Sequence, residues 1–168
     1  MSIETRIDVT QSAVLDRLVE FLRAELPLEE RSCYLAIEPL SPPVIPKSGD
    51  YFVTVSPGPG NFVEGEQVPV NVTEEWSITV TAYTRVRLDS TDHHRQLMLN
   101  ASRGLIILKR RLLKALVGVD LAIEANGTEG FLRNYLYAKS ATQPQWDEKK
   151  GIAWIGVDFG VDFDWDLT

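Results

Sequence analysis

The chain has 168 residues, 44% of them hydrophobic and 24% charged, which suits one globular domain, 1–168, long enough to bury a real core. No apolar run is long enough to cross a bilayer, and Met1-Ser2-Ile3-Glu4 lacks the basic and then apolar layout of a secretory signal, so a soluble protein not exported by the general route is expected. The single cysteine, Cys33, excludes an internal disulfide and a multi-cysteine metal site, and the net charge of −7 argues against a general nucleic-acid coat.

In chain order, Ile3 to Val9 alternates weakly (Ile3, Thr5, Ile7, Val9) and reads as a short arm or edge strand. Thr10 or Ser12 can cap a first helix that ends at Leu26, before Pro27, with Val14, Leu15, Leu18, Val19, Leu22 and Leu26 at three-to-four spacing. A strand follows from Cys33 to Glu38, where the thiol reads as a buried small hydrophobe. The prolines of Pro39 to Pro46 cannot donate to a ladder, so that stretch reads as an extended loop. Tyr51 to Ser56 is the next strand, and Pro57-Gly58-Pro59-Gly60-Asn61 reads as a turn rather than a phosphate loop, since no Gly-Lys-Ser/Thr follows. Between Asn61 and Glu75 the acids Glu64, Glu66, Glu74 and Glu75 stand without a basic residue, as in a long acidic hairpin connection.

Trp76 to Leu88 alternates over thirteen positions, enough for a strand of about 43 Å, part of which is expected to project beyond its own sheet. Asp89-Ser90-Thr91-Asp92 offers caps for a helix from Thr91 to Val117, roughly 40 Å long and ended by Gly118. Met98, Ala101, Leu105, Leu108, Leu112 and Ala115 form its apolar seam, with Lys109 inside the apolar arc. This stretch carries six basic residues against Asp92, a charge of +5, which leaves −12 on the rest of the chain. A basic helix on an acidic body lets copies attract each other.

Phe131 to Ala138 alternates as a strand, Lys139 to Lys150 is a polar connection, and Gly151 to Leu167 is the last strand. On that strand Ala153, Ile155, Val157, Phe159, Val161, Phe163 and Trp165 share one face, while Asp158, Asp162, Asp164 and Asp166 line the other. Carboxylates on a straight strand point out in parallel, about 7 Å apart, and cannot close around one ion; the Gly and terminal Glu of a calcium loop are also absent. No metal or cofactor site is therefore expected, and the stripe reads as solvated or partner-facing. The two histidines, His93 and His94, are adjacent, and no Gly-x-Ser-x-Gly elbow is present, so no catalytic residues are assigned and the chain is read as not an enzyme.

The element order gives an α+β domain: an antiparallel sheet of four to five strands with two helices packed on one face. Helix Ser12 to Leu26, the strand and turn Tyr51 to Gly60, the Trp76 to Leu88 strand running into the Thr91 to Val117 helix, and the aromatic strand Trp154 to Trp165 together resemble the tail terminator and minor tail proteins of long-tailed bacteriophages and related tail-completion proteins. That resemblance implies a ring, commonly hexameric, that caps a tail tube and meets a head connector, in a virion or in host cytoplasm. Nucleic acid enters such a reading only as DNA passing through the ring. The loop Pro39 to Pro46 and the acidic last strand do not match the resemblance. The expected subunit interface sets Arg103, Arg110, Arg111 and Lys114 against Glu64, Glu66, Glu74 and Glu75, or against Asp158, Asp162 and Asp164. Two other readings stand beside it: a monomeric small-ligand or protein-binding α+β module, with its cleft between the helices and the Tyr51 loop, and DNA contact through the basic helix.

Overall fold

A computed structural model describes residues 3–37, 45, 49–63, 71–86, 93–119, 130–132 and 135–166. In chain order these hold helix α1 (Ile3–Glu25), a 3₁₀ turn (Glu30–Ser32), strands β1 (Cys33–Leu35), β2 (Tyr51–Phe62) and β3 (Asn71–Arg85), helices α2 (His93–Leu99) and α3 (Leu105–Leu116), and strands β4 (Gly130–Leu132), β5 (Tyr137–Ala141), β6 (Gln145–Asp147) and β7 (Ile152–Asp166). The seven strands form one sheet in the order β1-β2-β3-β7, and β4, β5 and β6 all lie along the far side of β7. It is mixed rather than purely antiparallel, because β1 runs parallel to β2. No helix among the described residues is long and apolar enough to cross a membrane.

The apolar stripe Val14, Leu15, Leu18, Val19, Leu22 and Leu26 is buried, as helical spacing requires. The segment Ile3 to Val9, expected as an arm or edge strand, is instead the start of α1. Its alternation also sets Ile3 and Ile7 four apart, in phase with Val14 and Leu18, and the helical period prevails. Arg23 then clips the helix to β1, its Nε and Nη2 donating to the Cys33 carbonyl at 3.0 and 2.8 Å. Cys33 itself is fully buried; desolvation pushes its thiol up to about 12, against the opposing charge of Arg23.

Strand β1 stops at Leu35, short of the expected Glu38, and leaves Ile37 90% exposed. Of the Pro39 to Pro46 loop only Ile45 lies within the described residues. Strand β2 runs on through Pro57 to Asn61, where a turn was expected, with a register shift between Pro57 and Gly60. The Val55 carbonyl faces β1, accepting from Ala36 N at 2.9 Å, so Pro57, two residues further on, turns its amide position to that same outer side. Pro57 therefore removes no ladder bond to β3, and Pro59 falls within the register shift, where the regular ladder is interrupted. Gly58 and Gly60, each following a proline, permit close approach: a Cβ on Gly58 would lie 2.8 Å from the Ser77 carbonyl oxygen, and one on Gly60 would collide with the Glu74 side chain.

Strand β3 begins five residues before the expected Trp76. With β7 it forms the centre of the sheet, in continuous antiparallel register from Asn71 opposite Asp166 to Arg85 opposite Ile152. The expected Thr91 to Val117 helix is broken into α2 and α3, and this gives three helices rather than two. Asn100 makes the break. Its Oδ1 accepts from Ser102 N (3.0 Å), Ser102 Oγ (2.8 Å) and Arg103 N (3.2 Å), local bonds that compete with the helical ladder. The two predicted elements Phe131 to Ala138 and Lys139 to Lys150 resolve into β4, β5 and β6, with Leu136 turned into the core between the first two.

One face of the sheet packs α1 and α3 over Val53, Val55, Trp76, Ile78, Val80, Ile155, Val157 and Phe159. The other carries a second, smaller core. There Phe52, Tyr83 and Trp154 are direct cross-strand partners and Tyr34, which pairs with Thr54, extends the row from the fourth strand, with ring centroids 6.4, 4.5 and 6.3 Å apart along Tyr34, Phe52, Tyr83 and Trp154. Ile152 and Ile45 complete it. Burial pushes the Tyr83 phenol up to about 12, with Thr54 and Thr81 nearby opposing the shift.

Candidate assembly surfaces

The predicted cations lie on or just before α3, on the helical side of the sheet. Leu105, Leu108, Leu112 and Leu116 pin that helix into the core, which turns Arg110 and Lys114 outward. Both are exposed, and among the described residues neither has an ion-pair partner. Arg111 is half-buried and differently employed: Nη1 donates to the Ser102 carbonyl and Nη2 to that of Ala101, each at 3.1 Å, bracing the break before α3. Arg103 is half-buried in that same turn, and Lys109, expected within the apolar arc, is half-exposed.

Beside these cations lies the cleft anticipated between the helices and the Tyr51 loop. It measures about 450 Å³ and is walled by Leu26, Pro27, Tyr51 and Ala115, with Glu25, Arg111 and Lys114 around it. The Tyr51 hydroxyl donates to the Leu26 carbonyl at 3.2 Å, fixing one wall at the end of α1. A smaller hollow of about 230 Å³ lies near α2, where the His94 ring meets Trp146 edge-on at 5.1 Å.

The acids divide. Glu64 and Glu66 lie outside the described residues. Asp158, Asp162 and Asp164 share the sheet face opposite the helices, half-buried rather than a fully solvated stripe. Thr79 Oγ1 donates to Asp158 Oδ1 at 2.6 Å, Ser140 Oγ to its Oδ2 at 2.8 Å, and Thr73 Oγ1 to Asp164 Oδ1 at 2.6 Å. Glu75 is exposed directly across from Asp162, with Tyr137 alongside. Burial first, then the charges of Asp162 and Glu75, push the Tyr137 phenol above its ordinary range. Like charges set opposite each other on neighbouring strands repel, and a resident cation already stands on this face: Lys139 Nζ donates to Ser77 Oγ at 2.9 Å, between the Glu75–Asp162 and Thr79–Asp158 pairs, which leaves exposed Glu75 as the acid best placed to meet a visitor.

Glu74 belongs to none of this. It points to the helical side and is only 8% exposed, a correction to its expected place on an acidic surface. Its Oε2 accepts from Trp165 Nε1 at 2.8 Å and from Gln11 Nε2 at 3.2 Å, tying β3, β7 and α1 together. Desolvation raises its pKa and the Trp165 bond opposes the shift. The strand parity of Trp76, Ile78 and Val80 extends back to Glu74 and could have marked it as inward-facing. Among the described residues no group of three or more His, Cys, Asp or Glu side chains is placed to hold a metal ion.

No protein-family model matches this chain, and no curated protein matches it. Among solved structures, it is similar to a chain from the virion of a native gene transfer agent particle, with 20% identity, coverage of 85% of this chain and 84% of that one, and a TM-score of 0.44. A second solved structure is 13% identical, with coverage of 93% and 94% and a TM-score of 0.46.

Proposed function

We propose that this chain is a structural protein of a phage or phage-like tail, forming a ring of identical subunits that caps the tail tube and joins it to the head connector. The observation that carries the reading is the placement of charge. Exposed Arg110 and Lys114 lie on the helical side of the sheet, and Glu75, Asp158, Asp162 and Asp164 on its other side. One copy cannot bring those surfaces together, whereas two copies can, head to flank. A repeated contact of that kind closes into a ring when the rotation between neighbours allows it. The element order that resembles tail terminators supports the same role, with the tube and connector proteins as partners and DNA only as cargo through the ring.

Light scattering across a concentration and salt series tests the proposal. Assembly that weakens as salt rises is expected, because exposed charges are screened within about 10 Å at moderate ionic strength. Negative-stain images of the purified protein should show rings. A monomer at every concentration and ionic strength would refute the reading. The cleft beside Tyr51 favours one alternative, a monomeric binding module; ligand-dependent melting without oligomers would establish that instead.

A further inference from the structure

The charged faces say which sides of two copies meet, but they leave open what holds the copies in register. Two features of the fold answer each other. One is the cleft, apolar on its Leu26, Pro27, Tyr51 and Ala115 walls, cationic at Arg111 and Lys114, and of a volume that takes a compact apolar group. The other is the far end of the β2–β3 ribbon, where Phe62 is 57% exposed. No basic residue occurs in the sequence between Asn61 and Glu75. The cleft thus offers a hydrophobic floor and positive charge, and the ribbon end offers the unburied Phe62 ring, with the exposed carboxylate of Glu75 across the ladder from Asn61. Among the described residues Glu25 is the one opposing charge lining the cleft, outnumbered by Arg111 and Lys114, with Arg110 also on α3.

A chain cannot satisfy itself this way. Tyr51 opens β2 and lines the cleft, and Phe62 closes the same strand, so about 36 Å of extended backbone separates them. We propose that the cleft of one copy seats the ribbon end of a second copy, with the Phe62 ring against Tyr51 and Ala115. This rests on the ring-forming reading above and names its coupling element. The contact joins two different surfaces, as a closing ring requires.

The test is a cross-link. Phe62→Cys and Ala115→Cys are combined in one chain; Cys33 is fully buried and stays silent. Under mild oxidation the double variant should give a covalent ladder extending beyond the dimer, and each single variant none beyond the dimer. Independently, Phe62→Ser should weaken self-association about tenfold to a hundredfold in sedimentation velocity, the effect of uncovering one aromatic side chain, with an unchanged melting temperature because the ring is exposed in the single chain. Wild-type assemblies whose double variant gives no ladder would overturn this seat and leave the ring standing. A wild-type protein that never assembles would overturn both.

Discussion

Replacing Trp165 by Phe keeps an aromatic ring against Phe163, whose centroid lies 4.3 Å away, but deletes the indole N–H that reaches Glu74 Oε2 at 2.8 Å. The carboxylate then keeps only Gln11 at 3.2 Å among the described residues. A hydrogen bond to a charged group contributes about 1.5–3 kcal/mol, and one to a neutral group about 0.5–1.5 kcal/mol. At about 2–4 °C per kcal/mol for a chain of this size, the bond itself amounts to a fall of about 3–12 °C in Tm while Glu74 is ionised. The smaller ring adds a cavity cost that does not depend on pH. The pH profile separates the two. Burial raises the Glu74 pKa above 4.5, so the folded chain holds that proton more tightly than the unfolded one. The stability Glu74 contributes is therefore fully present below the unfolded value and is lost as pH rises through the folded value. Deleting the indole donor lifts the folded value further and steepens that loss. Differential scanning calorimetry of wild type and Trp165→Phe at pH 8 and near pH 4.5 should show the larger deficit at pH 8. A deficit equal at both would mean the indole bond to the carboxylate carries no weight, and the reasoning about this node would be wrong.

Glu74→Gln, which can still accept from Trp165, should flatten the pH dependence, gaining stability relative to wild type at pH 8 compared with pH 4.5 in the same scans; an unchanged profile would remove Glu74 as its source. Phe52→Ala removes a buried ring stacked 4.5 Å from Tyr83 and should cost about 3–5 kcal/mol in urea denaturation, against well under half that if the outer aromatic row is only decoration. Gly160→Ala puts a Cβ 2.5 Å from Tyr137 Cζ, the far end of a ring that is 38% exposed and can swing aside, and should cost about 1 kcal/mol or less, recovered when Tyr137→Ala is added; no recovery would place the strain elsewhere. Gly104→Ala sets a Cβ 2.5 Å from the Asn100 amide nitrogen and should destabilise by about 1–3 kcal/mol, whereas a stable variant with increased far-UV helicity would mean that the break between α2 and α3 is optional.

Periodicity located what depends on one-dimensional pattern. The α1 stripe and the apolar faces of β3 and β7 arise from which side chains repeat and are buried as the spacing indicates, but the alternation of β3 reads as one buried side whereas Ser77, Thr79, Thr81 and Tyr83 on its other face are buried too. Other features depend on what comes to lie alongside. Pro57 and Pro59 look like a turn until β3 takes the opposite side of β2, leaving the Pro57 amide position outward and Pro59 within a register shift. Asn100 looks like a polar residue on a long helix until its side chain captures three donors of the adjoining turn. Tyr34, Phe52, Tyr83 and Trp154 are dispersed along the chain, and only strand register makes them a row. Of the expected interface, Arg110, Lys114 and Glu75 are exposed and available, Arg111 is occupied in bracing the turn, and Glu74 is enclosed. Charge is visible in a sequence, but the partner that consumes it is not.

Strand β7 has every other late strand as its neighbour: β3 along one side and β6, β5 and β4 in succession along the other. It is thus the keystone of the sheet, and its partner β3 is made long before it on the ribosome. Until Ile152 to Asp166 has been synthesised, β3 has β2 along one edge but waits with its other edge uncovered, exposed to pairing with any stray strand. Such distant pairing slows folding, so production at lowered temperature, where aggregation competes less, should raise the yield of native protein.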